Sequence, residues 1–76
     1  MTREELETDL RTLPDVRDVT VVGEGTLIAT VVSGSFDGRD EAVRQATVWT
    51  LLRGRHDATQ IQNVEFIFTN APSDGE

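Results

Sequence analysis

The acid–base chemistry available to this chain rests on one histidine, fourteen carboxylates and seven arginines, because the sequence contains no cysteine, tyrosine or lysine. The histidine, His56, precedes Asp57, and a neighbouring carboxylate can orient an imidazole that acts as a base or a metal ligand. No second donor stands at ligand spacing, so we interpret His56 as a surface residue of a polar loop. Without cysteine the chain has no disulfide, zinc–thiolate site or thiol nucleophile of its own. We therefore predict a protein that is not an enzyme and holds no metal or cofactor.

The charge balance is acidic, with a formal net charge of −7 at pH 7 on 76 residues. Every basic residue is an arginine. The absence of lysine beside so many carboxylates is typical of proteins adapted to high salt, and the codon bias of a GC-rich genome is the alternative explanation. Self-repulsion is screened as the Debye length falls from about 10 Å at 0.1 M salt to about 3 Å at 1 M. We expect folding stability to rise with salt.

The length allows one domain, and nothing in the sequence predicts a membrane segment. The longest apolar run, residues 27–32, is interrupted by Thr30 and falls far short of the roughly 18 residues that span a bilayer. Residues 1–5 lack the basic and apolar blocks of a secretory signal. We expect a soluble cytoplasmic protein.

Hydrophobic periodicity and end signals predict two helices and three strands. Thr2 and Glu5 have the spacing of a capping box. Asp40 can cap the second helix, and Gly54 is placed to end it. β-Branched runs on either side of Gly23-Glu24-Gly25 predict a hairpin. The predicted elements are a helix over 2–13 that Pro14 ends, an acidic loop over 15–18, strands over 19–22 and 26–32, a helix over 40–53 and a strand over 64–69.

This order predicts a single α+β domain over residues 1–70, in which both helices cover one face of a three-stranded mixed sheet. The third strand should lie parallel to the second, after a right-handed crossover. Alternation predicts that the inward side chains of the sheet are Val19, Val21, Leu27, Ala29, Val31, Val64, Phe66 and Phe68. They face Leu6 and Leu10 of the first helix and the inward stripe of the second helix, which is predicted to contain Val43, Ala46, Trp49, Thr50 and either Leu52 or Arg53. Residues 71–76 have no apolar anchor and are predicted to form a disordered acidic tail.

The opposite face of the predicted sheet carries more apolar surface than a solvated face needs. Its large side chains are those of Val22, Ile28, Val32 and Ile67. Either the sheet tolerates these β-branched residues in water, or the face binds a partner or a second copy of the chain. A homodimer through this face is one hypothesis.

The junction between the second strand and the second helix carries a recognisable pattern. Val31-Val32-Ser33 is followed by Phe36-x-Gly38, and then by Arg44-Gln45 with Val48 three positions later. Together with the element order, this pattern resembles the signature of the BolA-like family. The resemblance implies a fold related to the class II KH arrangement and partnership with monothiol glutaredoxins. Many members of the family also share the ligation of a [2Fe–2S] cluster with their partner, so the resemblance implies this role as well.

The sequence departs from the family where ligands are expected. Gln45 stands where the family has a histidine. The family has a second histidine near the start of the last strand, and the residues that could occupy that position here are Gln62 and Asn63. The loop between the first two strands, which often offers cysteine or histidine in the family, reads Gly23-Glu24-Gly25-Thr26. Carboxamides are poor iron ligands. We therefore expect this chain not to ligate a cluster itself.

The leading hypothesis is a non-enzymatic protein-interaction domain of the BolA-like type, with a glutaredoxin-like protein as its candidate partner. The predicted partner-binding residues are Ser35, Phe36, Gly38, Arg44, Gln45, Arg53 and Arg55. The alternative is a KH-like module that binds nucleic acid through a Gly-x-x-Gly loop, which Gly54-Arg55-His56-Asp57 begins but does not complete. The acidic net charge opposes a polyanion. Helix-dipole interactions and an Asp40–Arg44 pair also explain the arginines of the second helix.

Overall fold

The computed structural model describes residues 1–75, and Glu76 lies outside the described residues. The elements are α1 (Arg3–Leu10), β1 (Val16–Val22), β2 (Leu27–Ser33), a 3-10 turn (Gly34–Phe36), α2 (Glu41–Arg55), β3 (Val64–Asn70) and a second 3-10 turn (Pro72–Gly75). β2 lies between β1, which is antiparallel to it, and β3, which is parallel. The predicted small α+β fold is confirmed. Within residues 1–75, no helix is long and apolar enough to cross a membrane.

The hairpin forms where the glycines predicted it, but β1 begins earlier than expected. Residues 16–18, predicted to belong to a loop, are part of the strand. Gly23 adopts a φ of 106°, in the left-handed region that favours glycine. A Cβ atom at this position would lie 2.0 Å from the carbonyl oxygen of Thr26. The turn therefore requires a glycine at position 23.

A β-bulge in β3 reverses the predicted orientation of its side chains. Val64 and Phe66 pair with consecutive residues of β2, so Glu65 is an extra residue in the strand. One extra residue shifts the two-residue alternation by one position. Ile67 is therefore fully buried, whereas Phe66 and Phe68 are 44% and 51% exposed on the opposite face. The predicted inward placement of both phenylalanines and the outward placement of Ile67 are wrong, while Val64 is buried as predicted.

α1 forms as the sequence predicts. The backbone N–H of Glu5 donates to Thr2 Oγ1 at 3.1 Å, and the N–H of Thr2 donates to Glu5 Oε1 at 2.9 Å, which completes the capping box. The apolar stripe of Leu6, Leu10 and Leu13 is buried, although the helix ends at Leu10.

α2 starts at its predicted cap but faces the core with a different stripe. Asp40 Oδ1 accepts the N–H of Val43 at 2.9 Å, and the helix continues through Gly54, which was predicted to end it. The residues that it buries are Arg44, Val48 and Leu52, spaced four apart. Of the predicted inward residues, Leu52 is buried and Trp49 is half-buried, whereas Val43, Ala46, Thr50 and the alternative Arg53 are exposed. Compared with the predicted orientation, α2 is therefore rotated about its axis. Arg44 can lie on the buried side because its aliphatic stem covers apolar surface while its guanidinium is hydrogen-bonded.

The structure differs from the expected disorder of residues 71–76 as far as it describes them. Ala71 is buried, and its N–H donates to Asp74 Oδ2 at 2.9 Å, which closes the turn Pro72–Gly75. The carboxylate of Asp74 also binds the guanidinium of Arg44. The segment thus has both an apolar and an ionic anchor. The prediction for position 76 lies outside the described residues.

Candidate functional site

Arg44, predicted to bind a partner, is 9% exposed and links α2 to β3 and to the turn Pro72–Gly75. Its Nη1 donates to Asp74 Oδ2 at 2.7 Å and to the carbonyl oxygen of Thr69 at 3.2 Å, and its Nε donates to the carbonyl oxygen of Arg39 at 2.9 Å. The hydrogen bond from Arg44 lowers the pKa of Asp74, and Asp74 raises the pKa of Arg44. Its ionic partner is therefore Asp74, and the predicted side-chain pair with Asp40 is not the one that forms.

Gln45, in the position of the family's histidine, links α2 to β3. Its Nε2 donates to the carbonyl oxygen of Ile67 at 2.7 Å and to Glu41 Oε1 at 2.9 Å, while Trp49 Nε1 donates to its Oε1 at 3.1 Å. Thr69 Oγ1 also donates to Glu41, at 2.6 Å. The hydrogen bonds from Thr69 and then Gln45 lower the pKa of Glu41. All polar atoms of the Gln45 amide thus have partners within the domain.

The other predicted binding residues near the start of α2 are mostly turned inward. Phe36 is buried in the core. Ser35 Oγ lies 2.6 Å from Ser33 Oγ, and Ser33 Oγ donates to the carbonyl oxygen of Pro14 at 2.7 Å. Gly38 is exposed, with a φ of 75°. The structure therefore brings five predicted binding residues to the start of α2, but only Gly38 among them is exposed to a partner. The five are Ser35, Phe36, Gly38, Arg44 and Gln45.

The C-terminal end of α2 is joined to α1 through the buried carboxylate of Asp9. His56 Nε2 is hydrogen-bonded to Asp9 Oδ2, and Arg55 Nη1 lies 3.4 Å from Asp9 Oδ1. The interpretation of His56 as a surface residue is wrong, because its side chain is largely buried against α1. Arg53 remains exposed, and nine residues of helix place it about 14 Å from Arg44. The predicted partner-binding set therefore extends from the start of α2 to its C-terminal end.

A shallow pocket of about 270 Å³ lies beside this pair. Its lining residues are Glu4, Glu5, Thr8, Asp9 and His56. Among residues 1–75, no group of three or more His, Cys, Asp or Glu side chains could hold a metal ion.

The β1–β2 turn meets the start of β3 at the position where the family resemblance implies cluster ligands. Asn63 Nδ2 donates to the carbonyl oxygen of Gly25 at 3.1 Å and to that of Met1 at 2.9 Å. We call Glu24, Gly25, Thr26 and Asn63 the turn site. It offers a carboxylate, a hydroxyl, an amide and carbonyl oxygens, but neither the thiolate nor the imidazole that bind iron–sulfur clusters in proteins. The residues present do not fit a [2Fe–2S] cluster.

The sheet face away from the helices, which we call the open face, carries apolar side chains in cross-strand rows. The rows are Val22–Ile28–Phe66, Thr20–Thr30–Phe68 and Asp18–Val32–Asn70. The rings of Phe66 and Phe68 make an edge-to-face contact with centroids 4.7 Å apart. The predicted self-association set of Val22, Ile28, Val32 and Ile67 is thus corrected at one member, Ile67. Sequence reasoning missed the two phenylalanines because 64–69 has apolar residues in both phases of the alternation.

Comparison with known proteins gives a likeness in structure rather than in sequence. No protein-family model matches the sequence, and no curated protein matches it significantly. The structure is similar to BolA1 from Arabidopsis thaliana, with a TM-score of 0.70 over 95% of this chain and 93% of that one. It is also similar to the BolA domain of SufE1 from Arabidopsis thaliana, with a TM-score of 0.73 and the same coverage. Both are 17% identical to it. The chain therefore has the fold of BolA proteins, as the pattern around Phe36 and Gly38 predicts.

Proposed function

We propose that this chain is a non-enzymatic, BolA-like protein-interaction domain that binds a glutaredoxin-like partner without supplying ligands to an iron–sulfur cluster. The observation that carries the proposal is the turn site within a BolA fold. Asn63 and Gly25 meet where the family resemblance implies a pair of ligands, and the amide Nδ2 of Asn63 donates to the carbonyl oxygen of Gly25. The fold supports the proposed interaction, while the turn site carries no thiolate or imidazole that would bind iron.

The use of the titratable side chains supports a role without catalysis. The histidine is bound to Asp9, and the carboxylates of Glu41 and Asp74 are bound to Thr69 and Arg44. A general acid or base must be free to reach a substrate proton. These groups instead join α1 to α2, α2 to β3, and the last turn to α2.

The exposure of the turn site supports its role in binding. Glu24, Gly25 and Thr26 are all exposed at the tip of the hairpin. A partner that brings its own thiolates can approach this tip without displacing a core residue. The start of α2, by contrast, is engaged in contacts within the domain, so we assign it a structural role.

The experiment is to mix the protein with a monothiol glutaredoxin that carries a [2Fe–2S] cluster. We expect a complex in size-exclusion chromatography whose visible spectrum equals that of the glutaredoxin alone. Adding donors through Thr26→Cys and Asn63→His should make the spectrum change upon binding. The matched control, Thr50→Cys with Thr47→His, places the same donors on the exposed side of α2 and should leave the spectrum unchanged.

Two outcomes would contradict the proposal in different ways. A spectral change with the native chain would show that it does supply a ligand. The absence of a complex at every salt concentration would exclude the glutaredoxin-like partner. Circular dichroism of the donor variant verifies that the loss of the Asn63 amide has not unfolded the domain.

The KH-like alternative has weaker support. Gly54 lies inside α2 and Arg55 is paired with Asp9, so these residues do not form a phosphate-binding loop between two helices. Retardation of single-stranded RNA that is lost in Arg53→Ala would nevertheless favour it.

A further inference from the structure

The two edge strands of the sheet, β1 and β3, differ in whether their outward backbone groups are hydrogen-bonded. The hydrogen bonds of the central strand, β2, show which backbone groups point outwards. The N–H of Leu27 donates to the carbonyl oxygen of Asn63 at 2.8 Å, so the peptide groups of Leu27 and of alternate residues such as Ala29 point towards β3. Ala29 pairs with Ile67. In a parallel ladder, this pairing leaves the carbonyl groups of Ile67 and Thr69 pointing to the outer edge of β3.

Side chains of α2 occupy these outward carbonyl groups. Gln45 Nε2 donates to the carbonyl oxygen of Ile67 at 2.7 Å, and Arg44 Nη1 donates to that of Thr69 at 3.2 Å. A strand edge whose acceptors are already bound is a poor template for another strand. The helix that follows β2 therefore closes the β3 edge.

The β1 edge has no such protection. The backbone N–H and C=O groups of the odd-numbered residues of β2 point towards β3, so those of its even-numbered residues are hydrogen-bonded to β1. Thr20 and Thr30 form one of these hydrogen-bonded pairs. Val19 and Val21 consequently direct their N–H and C=O groups outwards. Within residues 1–75, no side chain is hydrogen-bonded to the backbone of Val19 or Val21, and no backbone group outside the sheet is either.

We propose that β1 pairs with β1 of a second copy of this chain, antiparallel and about a twofold axis at Thr20, so that two three-stranded sheets become one of six strands. Val19 then exchanges both backbone hydrogen bonds with Val21 of the second copy, and the reverse pair does the same. Thr20 faces Thr20, and Asp18 faces Val22. This is main-chain recognition by strand addition, with alternate side chains fixing the register.

The composition of β1 is compatible with self-pairing and disfavours one register of it. A bulge between residues 16 and 18 limits the regular part of the strand to residues 18–22. Centred on Asp18, an antiparallel pair would set two carboxylates opposite each other, which is destabilising. Centred on Thr20, the pair places threonine against threonine, a favourable cross-strand contact, and no charge meets a like charge. The strand is therefore complementary to itself.

The test is sedimentation equilibrium of the whole chain from micromolar to millimolar concentration, in dilute buffer and in molar KCl. We expect a reversible dimer that is stronger in KCl, because each copy carries a net charge of −7. Thr20→Arg and Thr20→Asp each place like charges across the axis and should weaken the dimer about tenfold. An equimolar mixture of the two variants should restore it as a heterodimer. The matched controls, Thr50→Arg and Thr50→Asp on exposed α2, should dimerise like the native chain.

The outcomes separate this interface from others. A native chain that stays monomeric in both buffers would overturn the proposal. So would a dimer that the Thr20 variants do not weaken, and dissociation by Phe68→Asp in that case would place the interface on the open face. If the Thr20 variants unfold, hydrogen exchange of the native chain decides the question. The amides of Val19 and Val21 should become more protected with rising concentration, and unchanged exchange would refute the interface.

Discussion

Truncation of Ile67 to alanine should destabilise the protein more than truncation of Phe66, although phenylalanine is the larger residue. Ile67 is fully buried, and removal of such a side chain typically costs about 2–5 kcal/mol. Phe66 is already 44% exposed. Its truncation loses roughly half of the burial energy of about 1.5–3 kcal/mol and the edge-to-face contact with Phe68 of about 0.5–1.5 kcal/mol, together about 1–3 kcal/mol. Unbroken alternation along β3 predicts the opposite order.

The magnitude for Ile67→Ala approaches the total stability expected for a domain of this size. At about 0.05–0.15 kcal/mol per residue, 76 residues give roughly 4–11 kcal/mol. Ile67→Val, with an expected cost of about 0.5–1.5 kcal/mol, provides a variant that remains measurable if the alanine variant unfolds. Each kcal/mol should lower the melting temperature by about 4–8 °C.

Urea unfolding in molar KCl is the assay, followed by far-ultraviolet circular dichroism and by the fluorescence of Trp49, the single tryptophan. Val22→Ala is the control, because Val22 is 53% exposed on the same face as Phe66, and its cost should stay below about 1 kcal/mol. A larger loss of stability for Phe66→Ala than for Ile67→Ala would refute the bulge at Glu65 and the orientation of every side chain after it.

Three further predictions concern charge and capping. The melting temperature should rise from dilute buffer to molar KCl, since screening reduces the self-repulsion of a chain with a net charge of −7, and equal values would contradict this account. The pKa values of Glu41 and Asp74 are lowered in the folded state, so their stabilisation is present above the ordinary carboxyl pKa, 4.5 for Glu41, and is lost as the pH falls through the lowered values. Urea midpoints measured against pH should therefore fall less steeply in acid for Glu41→Gln than for the native chain, and identical slopes would argue against the hydrogen bonds of Glu41. Thr2→Ala should cost about 1 kcal/mol through loss of the cap, whereas Thr8→Ala on the exposed side of α1 should change the urea midpoint little; equal effects would show that the capping box contributes nothing.

The features that the sequence predicts well depend on residues close to each other in the chain. The cap of α1 joins residues three apart, and so does the contact of Asp40 with the N–H of Val43. The hairpin turn needs only the positive φ of Gly23. Such interactions form with the same geometry in almost any tertiary context, so residue type and spacing are enough to predict them. The BolA-like fold was predictable because the pattern around Phe36 spans one such local junction.

The candidate site was predictable only in part. The sequence indicates that the turn and the start of β3 lack iron ligands, but the contact between Asn63 and Gly25 spans thirty-eight residues. Likewise, the sequence marks Arg44 and Gln45 as notable without indicating that both bind the backbone of β3. Their role in closing one sheet edge follows from how α2 lies against the sheet.

The amino-acid sequence by itself determined the helices, the hairpin, the acidic charge and the lack of cysteine and histidine at the turn and at the start of β3, because each depends on residue type or on neighbours a few positions away. Tertiary structure decided which face of β3 is buried, since a bulge depends on how two strands pair rather than on the composition of one. It also decided that Asp74, thirty residues from Arg44, and Asp9, forty-seven residues from His56, are the partners of those side chains. A buried charged or polar group takes whichever partner the packed chain brings within reach, and many carboxylates of this sequence were equally eligible.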